Sequence, residues 1–440
     1  MQRLSADDRL MLWPDQRWPQ ENGALAVLDG RVSLAAVRAA VESRLHLVPR
    51  LRQVLITPGP GQGGPLWTDA PDFDVHDHVR VRHVPAPGDE AAVLAVVEDL
   101  LRQPLDHSRP LWEAWLLSGL PDGREGLFVR LHHAIADGLA GIATIATFLT
   151  DGPEPLVGPS PLWTPAPAPK GRELFVDNVR SRLRAVRPLT AVRRLRAALP
   201  ALHEIFTREP APRTSLDRLV GPDRRLALVR ADLSDVTDIA HRHHATVNDV
   251  LLALLAGGLR RLLQHRGEPG VTLPVYVPVS LRRPDERAHA RGNQVAQMVV
   301  PLPLGTADPV RRLGLIAAET RARKARAHPA VGELMRGPIS RRVVLMMVAR
   351  QHVNVTTADL PGPAAPLYLA GARVREVYPV LPLIGTVGLG LAALSYAGRL
   401  GITVVADRDA YPDLDVFTAA VRTELRALVL QSTDGALASG

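Results

Sequence analysis

Short apolar runs and helix-like periodic patterns alternate along the first third of the chain. Runs of about four to eight apolar residues bounded by glycine or proline predict strands, and apolar side chains at every third or fourth position predict amphipathic helices. The predicted strands are Gly23–Gly30, Arg50–Ile56, Leu111–Leu117 and Gly126–His133. The predicted helices are Ser33–Leu45, Asp89–Gln103 and Gly138–Leu149. This part of the chain is therefore predicted to be a mixed α/β unit.

The same alternation returns in the second half, after a proline-rich interruption. Seven prolines lie between Pro153 and Pro169, and an arginine-rich helical pattern follows over Arg172–Phe206. Beyond about Ser215 the predicted strands are Leu226–Ala231, Val271–Val279, Val295–Pro301, Arg342–Thr357, Val374–Val380, Leu389–Tyr396 and Ile402–Ala406. The predicted helices are Leu233–His243, Val247–Gln264, Pro309–Ala327 and Leu414–Leu430, and the tail from Ser432 is expected to fray. We predict two mixed α/β domains, residues 1–152 and 215–440, joined by a crossing segment at 153–214.

The composition is that of a folded protein and excludes several kinds of chemistry. Hydrophobic residues make up 46% and charged residues 22% of the 440 positions, which is not the balance of a disordered chain. The chain has no cysteine, so disulfide scaffolds, thiol nucleophiles and cysteine-based metal sites are excluded, and a reducing cytoplasm is expected. The longest uncharged run, Val377–Gly398, contains prolines and glycines and predicts strands and turns rather than a membrane helix.

The charge balance favours anionic partners. The formal net charge is +8, and Lys170 and Lys324 are the only lysines among 53 basic residues. A basic surface attracts acidic lipid or a phosphorylated co-substrate. No nucleic-acid-binding motif is present and aromatic residues are only 4% of the chain, so nucleic acid is not an expected partner. The arginine-rich stretch Arg180–Arg196 is the candidate for contact with anionic lipid, and the alternative is a solvated linker helix.

One stretch, His132-His133-Ala134-Ile135-Ala136-Asp137-Gly138, combines two imidazoles, a carboxylate and a glycine where a predicted strand meets a predicted helix. Alternation along the strand puts Leu127, Val129, Leu131 and His133 on one face and His132 on the other. Only one of the two imidazoles can therefore face a substrate. Because histidine exchanges protons near neutral pH, the motif indicates general acid–base chemistry at His133.

The other residues of this stretch have more than one interpretation. Asp137 either caps the following helix or fixes the loop through a buried ion pair with an arginine. Gly138 suits backbone that turns tightly or passes close to a ligand. A metal site is disfavoured, because histidines on opposite strand faces do not share an ion and no third ligand is evident. The run His241–His244 lies at the polar end of a predicted helix and is expected to be solvated.

Further motifs accompany the two histidines. They are Pro110-Leu111-Trp112, Asn248-Asp249, Pro278–Arg282, Gly292-Asn293, Leu360–Pro363, Pro366–Tyr368, Leu394–Gly398 and Asp407–Asp409. Together with His132–Gly138 as HHxxxDG, they resemble the bacterial wax ester synthase/diacylglycerol acyltransferase family, one of the CoA-dependent acyltransferases related to chloramphenicol acetyltransferase, from about Leu4 to Leu430. The resemblance implies two chloramphenicol-acetyltransferase-like mixed-sheet α/β domains with a substrate tunnel between them.

The resemblance also implies roles for individual residues. His133 corresponds to the catalytic base, while His132, Asp137 and Gly138 are the accompanying structural or orienting positions. Thr246 and Asp249 have the spacing of a helix capping box. That box leaves Asn248, which the resemblance places at the tunnel, as a candidate donor to the acyl carbonyl or oxyanion.

The remaining motif positions are assigned to substrate binding or to packing. Asn248, Asp249, Arg282 and Asn293 are the candidate substrate-binding residues, and Arg282 stays open between a CoA-phosphate contact and a surface charge. The Pro110-Leu111-Trp112 motif is expected to pack in the core and position the strand beside the histidines. The chain departs from the family in two places. It has Asp359-Leu360 where the family often carries asparagine ahead of the Pro-Gly-Pro turn, and Pro14–Gly23 lacks a Pro-Met-His element.

The expected reaction moves a long-chain acyl group from acyl-CoA to a lipid alcohol. Diacylglycerol would give triacylglycerol, and a fatty alcohol would give a wax ester. A thioester is already activated and the chain has no serine in a nucleophile-elbow context, so we expect no covalent intermediate, no metal and no cofactor besides acyl-CoA as co-substrate. The alternatives are a condensation-type or polyketide-associated acyltransferase using a carrier-protein thioester, and a non-catalytic lipid-droplet-binding protein. We expect a cytoplasmic enzyme attached peripherally to the inner membrane or to lipid droplets.

Overall fold

The chain folds into two six-stranded mixed sheets covered by helices, with a small three-stranded sheet beside the first. The computed structural model describes residues 2–4, 9, 12, 14–15, 17–136, 138–154, 162–185, 212–280, 295–324 and 353–437. The strands within this part are β1 Gln2–Arg3, β2 Glu21–Asp29, β3 Gln53–Ile56, β4 Leu66–Asp69, β5 Val79–His83, β6 Trp112–Ser118, β7 Glu125–His132, β8 Arg224–Asp232, β9 Thr272–Ser280, β10 Val295–Pro303, β11 Val355–Pro361, β12 Tyr368–Leu369, β13 Ala372–Val380, β14 Leu389–Tyr396 and β15 Arg399–Asp407. The helices are α1 Leu34–Arg44, α2 Val75–His78, α3 Glu90–Arg102, α4 Gly138–Ala146, α5 Gly171–Ala185, α6 Leu233–Arg242, α7 Val247–His265, α8 Pro309–Lys324 and α9 Leu414–Leu437.

Helix boundaries follow the capping residues that the sequence places there. Ser33 accepts a hydrogen bond from the backbone N–H of Ala36 at the start of α1, and Asp89 does the same for Ala92 at the start of α3. Thr246 and Asp249 form the predicted capping box at the start of α7. Each cap satisfies backbone donors that have no partner inside the helix, so local sequence fixes where these helices begin.

The first sheet has the strand order β12, β13, β2, β7, β6, β5. Apolar residues of α1 and α4 pack on one face of it and those of α3 on the other. β13 belongs to the second half of the chain but pairs antiparallel with β2, from Arg373 opposite Asp29 to Val380 opposite Gly23. Residues 368–380 therefore complete the sheet of the N-terminal half, and the two halves are joined through shared hydrogen bonds.

The second sheet has the order β10, β9, β11, β14, β15, β8, and helices α6 to α9 contribute to the apolar core beside it. The central helix α7 is buried along most of its length, as expected for a helix that is apolar on nearly every side. β11 runs parallel to β14 from Val355 to Pro361, whereas its parallel pairing with β9 covers Val355 and Thr356. The described strands β9 and β11 thus separate after Thr356, at the end of the sheet that meets the N-terminal half.

Two of the predicted boundaries given above need correction. The tail expected to fray from Ser432 continues α9 as far as Leu437. The strand expected over Arg50–Ile56 begins at Gln53, because Pro49–Arg52 form a 3-10 turn. The predicted strand Arg342–Thr357 and the predicted helix Arg172–Phe206 lie partly outside the described residues. Within the described part, strand structure begins at Val355 and the helix covers Arg172–Ala185.

Candidate active site

The two motif histidines lie at the end of β7, where the backbone is held from both sides. The N–H of His132 donates to the carbonyl of Leu111 at 2.9 Å, and the N–H of His133 donates to the carbonyl of Gln20 at 2.7 Å. A turn follows, closed by the N–H of Ile135 and the carbonyl of His132 at 2.8 Å. His133 is thus presented on a backbone fixed by the chain segments that precede β6 and β2.

The alternation of β7 separates an apolar cavity from a buried polar cluster. Leu127, Val129 and Leu131 line the cavity together with residues of α1, β6 and α4. His132 points to the opposite side and is 1% exposed. The predicted strand Gly126–His133 ends one residue early, and the half-buried His133 lies in the turn that follows β7, so alternation does not assign its face. The last residue of β7 in the cavity wall is Leu131, two positions before His133.

His132 is anchored in a buried cluster that also contains Asp15 and His107. The N–H of Ala134 donates to Nδ1 of His132 at 3.0 Å, so the imidazole carries its proton on Nε2 when it is neutral. That Nε2 lies 3.2 Å from Oδ1 of Asp15, but the alignment is too poor for a hydrogen bond, and no other described residue accepts one from it. His132 is therefore buried and bonded to the backbone of the motif turn.

Asp15 is the centre of this cluster and is held as an anion. Its Oδ1 accepts from the N–H of Gln20 at 2.8 Å, and its Oδ2 lies 2.8 Å from Nε2 of His107. Burial opposes ionisation, but the contacts with His107, His132 and Gln20 hold the pKa of Asp15 well below its ordinary range. In return, the contact with Asp15 raises the pKa of His107. Asp15 thus links the backbone of Gln20, which binds His133, to the side chain of His132.

A second buried cluster surrounds Arg130, which lies two residues before His132 on β7. Arg130 is 3% exposed, and its guanidinium lies 2.9 Å from Glu21 and 2.8 Å from Glu113. Burial raises the pKa of Glu21, whereas burial of Glu113 is outweighed by Arg130, which lowers the pKa of that carboxyl. The N–H of Leu105 also donates to Glu21 at 2.8 Å. One arginine thus links β2, β6 and β7 directly behind the histidines.

The Pro110-Leu111-Trp112 motif packs beside the histidines. Leu111 and Trp112 are both buried, and the carbonyl of Leu111 is the acceptor for His132. The indole N–H of Trp112 donates to the carbonyl of Leu51 at 2.8 Å, and the ring stacks on His78 with centroids 4.7 Å apart. Trp112 also lines the apolar cavity, so this motif joins the backbone of the motif strand to the cavity wall.

Gly138, the last motif residue, begins α4 next to the second half of the chain. A Cβ atom at Gly138 would lie 3.2 Å from Cδ2 of Leu360 on β11, which is closer than most side-chain contacts. The preceding Ala136 accepts a hydrogen bond from the side-chain amide of Asn22 at 3.3 Å. The motif turn is therefore enclosed by β2 on one side and by β11 on the other.

The start of α7, in the second half of the chain, carries the Asn248-Asp249 pair. Asn248 is half-buried in its first turn. Asp249 is 3% exposed, with Oδ2 in the capping box and Oδ1 accepting from the Thr320 hydroxyl at 2.6 Å. These contacts tie the carboxylate of Asp249 to α7 and α8. The capping contacts therefore account for Asp249 but not for Asn248.

Two polar residues of β11 face away from the motif turn. Ala358 and Leu360 pack with the N-terminal half, and the alternation of the strand turns Thr357 and Asp359 to the other side. The hydroxyl of Thr357 is buried and has no hydrogen-bond partner among the described residues. Burial raises the pKa of Asp359 to about 6, and Lys324 at the end of α8 opposes this shift. A half-buried carboxyl group thus lies just before the Pro-Gly-Pro turn.

Other predicted residues lie outside this geometry. Asp137, Arg282 and Asn293 are outside the described residues. The run His241–His244 lies at the end of α6 and is mostly exposed. Within the described ranges no group of three or more histidine, aspartate or glutamate side chains is arranged to hold a metal ion.

Sequence reasoning missed Asp15, Gln20 and His107. The segment Pro14–Gly23 was noted only for lacking a Pro-Met-His element, yet it supplies the carboxylate beside His132 and the carbonyl that binds the N–H of His133. The available signal was its position, a polar segment directly before the first strand of the sheet. No local sequence pattern predicts that this segment contacts the end of β7.

Comparison with known proteins assigns both halves of the chain to one family. Residues 4–251 match the model of the wax ester synthase/diacylglycerol acyltransferase catalytic domain, and residues 291–429 match that of the WS/DGAT C-terminal domain. A putative diacylglycerol O-acyltransferase of Mycobacterium tuberculosis strain H37Rv is 31% identical, with 100% of each chain covered. A probable diacylglycerol O-acyltransferase of the same organism is 30% identical over 92% of this chain and 90% of its own.

Solved structures share the fold. A wax ester synthase/diacylglycerol acyltransferase from Marinobacter aquaeolei VT8 superposes with a TM-score of 0.72 at 23% identity, covering 98% of this chain and 100% of that one. The starter condensation domain of rhizomide synthetase, solved with C8-CoA, superposes with a TM-score of 0.64 at 17% identity, covering 98% and 94%. Two mixed-sheet domains of this kind are therefore common to both groups of proteins.

Proposed function

Because the chain belongs to the wax ester synthase/diacylglycerol acyltransferase family and is an acyltransferase enzyme, we propose that it transfers a long-chain acyl group from acyl-CoA to a lipid alcohol, with His133 as the general base. The acceptor is diacylglycerol, a fatty alcohol, or both. The observation that carries this proposal is the juxtaposition at the end of β7. An imidazole on a fixed backbone follows directly on the strand that lines an apolar cavity.

The proposed chemistry needs one proton acceptor. His133 takes the proton from the alcohol hydroxyl as the oxygen attacks the thioester carbonyl carbon. The resulting tetrahedral oxyanion collapses, the C–S bond breaks, and the thiolate of CoA receives the proton from His133. The ester forms without an acyl-enzyme, and the base ends in the state in which it began. Because the thioester is already activated, we propose that no metal or other cofactor takes part.

We propose that the acyl chain enters the apolar cavity, whose volume of about 40 Å³ must widen to hold a long chain. Its wall combines β7 with Trp112 and Ala114 of β6 and with Thr144, Ile145 and Phe148 in and just after α4. The wall presents apolar atoms to the cavity, and burial of each methylene contributes about 0.8 kcal/mol. A chain lying along β7 would bring its thioester to the end of the strand, beside His133.

Contact with other molecules follows from the substrates. Diacylglycerol and fatty alcohols reside in bilayers and lipid droplets, so we propose peripheral association with the inner membrane or a droplet surface. Among the described helices, none is both long enough and apolar enough to cross a bilayer. We propose the division into residues 1–152, 153–214 and 215–440, with residues 368–380 of the last part completing the sheet of the first and with substrates meeting between these two parts.

The activity is tested by release of free CoA thiol. We expect the full chain to release CoA from palmitoyl-CoA when diolein or hexadecanol is supplied, and to give only background release when the acceptor is omitted. The lipid product is identified by chromatography. Absence of turnover with both acceptors would contradict the proposal, and turnover only with a carrier-protein thioester would favour the condensation-type alternative. The ratio of the two rates ranks the acceptors.

The cavity is tested by narrowing it. Ala114 is buried in the cavity wall, so Ala114→Leu places three further carbon atoms where the acyl chain is proposed to lie. If two or more methylenes of palmitoyl-CoA lose their place, kcat/KM for palmitoyl-CoA should fall by about tenfold relative to hexanoyl-CoA. Ala143→Leu, in α4 but outside the cavity wall, is the matched control. An unchanged ratio of palmitoyl to hexanoyl transfer in Ala114→Leu would place the acyl chain elsewhere.

A further inference from the structure

Helix α5, between the two halves of the sequence, exposes an apolar face. One side is fastened to the N-terminal half and the opposite side exposes apolar residues. Leu174 is 4% exposed, and its carbonyl accepts from Arg3 at 3.2 Å. Asp177 pairs with Nε of the same arginine at 2.9 Å, and the side-chain amide of Asn178 donates to the carbonyl of Gly61 at 2.7 Å. These contacts fix which face of α5 points outward.

The outward face carries four large apolar side chains. Phe175, Val176, Val179 and Leu183 are 52%, 39%, 38% and 71% exposed. With 3.6 residues per turn they form one continuous stripe opposite Leu174 and Asn178. Isolated exposed apolar residues are ordinary, but a stripe on a single helix marks a surface that meets another apolar phase or partner.

Arginines border this stripe. Arg172 lies within it, and Arg180 and Arg182 lie on its two sides; all three are exposed. The helix contains four arginines against two carboxylates, and one of these carboxylates, Asp177, is already paired with Arg3. The outward surface is therefore apolar in its middle and cationic at its edges. That is the charge pattern of helices that lie in the surface of an anionic membrane.

We propose that α5 is the membrane-docking helix of this protein and that its outward face inserts into the surface of an anionic lipid layer. Phe175, Val179 and Leu183 would reach the acyl chains, while the arginines would lie at the level of the lipid phosphates. The proposal rests on the proposed function insofar as that function requires a lipid-borne acceptor. Because α5 is tied to Gly61 and Arg3, docking through it would hold the N-terminal half at the lipid surface.

The experiment is flotation of the full chain with vesicles. One set contains phosphatidylcholine with phosphatidylglycerol, and the other contains phosphatidylcholine alone. We expect the wild type to float with the anionic vesicles and the triple variant Phe175→Ser, Val179→Ser, Leu183→Ser to lose at least about tenfold in partition coefficient, since several buried apolar side chains are removed. A second variant, Arg172→Gln with Arg180→Gln and Arg182→Gln, should lose the preference for anionic vesicles while keeping its apolar face.

The control replaces exposed apolar residues elsewhere. Leu219 and Leu315 are 58% and 46% exposed, and their change to serine should leave flotation as in the wild type. Equal flotation of the wild type and both α5 variants would overturn the proposal. So would a wild type that ignores anionic vesicles and instead elutes as a dimer that the serine variant dissociates, because the face would then belong to a second copy of the chain.

Flotation does not depend on catalysis, so it separates this proposal from the proposed function. We expect the serine variant to release CoA from palmitoyl-CoA with a dispersed short-chain alcohol at the wild-type rate, but more slowly with diolein presented in anionic vesicles. A wild type that floats but transfers no acyl group would contradict the proposed function alone. A serine variant as active as the wild type on vesicle-borne diolein would contradict the docking role alone.

Discussion

Replacing His133 by alanine should lower kcat for CoA release from palmitoyl-CoA by about 10²- to 10⁴-fold, the range that a positioned general base contributes. The base acts as the proton leaves the alcohol, so its removal weakens the transition state rather than the binding of acyl-CoA. We therefore expect KM for palmitoyl-CoA to change little. The thiol-release assay at several palmitoyl-CoA concentrations, with diolein or hexadecanol saturating, separates the two constants.

Two control variants make this result specific. His46 is exposed on the surface, so His46→Ala should keep wild-type kcat and KM. His132→Ala removes a buried side chain that accepts the N–H of Ala134, and it should lower thermal stability as well as kcat. A His133→Ala enzyme that keeps full activity would contradict the assignment of the base. Loss of activity accompanied by a large fall in melting temperature would instead indicate a structural role.

The parts of the fold that the sequence predicts correctly are those decided over short distances. Ser33, Asp89 and Thr246 act as caps where the hydrophobic pattern begins, because a cap bonds to backbone only a few residues away. The two faces of β7 could likewise be assigned from alternation alone. Leu131 lines the cavity and His132 is buried on the other side, since a strand turns successive side chains to opposite faces.

The parts that the sequence does not predict depend on contacts between distant segments. Arg130 meets Glu21 and Glu113 from two other strands, and nothing in the local pattern of any one strand requires this. The pairing of β13 with β2 joins residues that are distant in the sequence, such as Arg373 and Asp29. Such pairings are selected by the energy of the whole sheet, which single-segment propensity does not contain.

The proposed docking surface on α5 combines a composition signal with a feature that only the structure supplies. The arginines of Arg180–Arg196 suggested contact with anionic lipid. The structure adds the exposed stripe of Phe175, Val179 and Leu183, which begins before Arg180 and overlaps that stretch at Leu183. That stripe is visible only once Leu174 and Asn178 are known to face the N-terminal half, because a helical pattern by itself does not say which side is docked.

The substitution Asp359→Asn should make the protein more stable at neutral pH, by up to about 3 kcal/mol. Burial raises the pKa of Asp359 from 3.8 to about 6, so the folded chain favours the protonated carboxyl more than the unfolded chain does. The penalty is absent below pH 3.8, grows as the pH rises towards 6, and is complete above that value. Asparagine has the same shape as aspartate and no charge to bury.

The test is urea unfolding of the wild type and Asp359→Asn at intervals between pH 4 and pH 8. The free energy of unfolding of the variant should exceed that of the wild type by less than about 1 kcal/mol near pH 4, and the difference should grow steadily up to about pH 7. Asp409 is exposed, so Asp409→Asn is the matched control and should show no comparable gain. A difference between Asp359→Asn and the wild type that stays constant from pH 4 to pH 8 would show that Asp359 is not held in a dry environment. A gain in the stability of Asp359→Asn that grows with pH would instead show that the charge of Asp359, next to Leu360 and the motif turn, destabilises the folded chain.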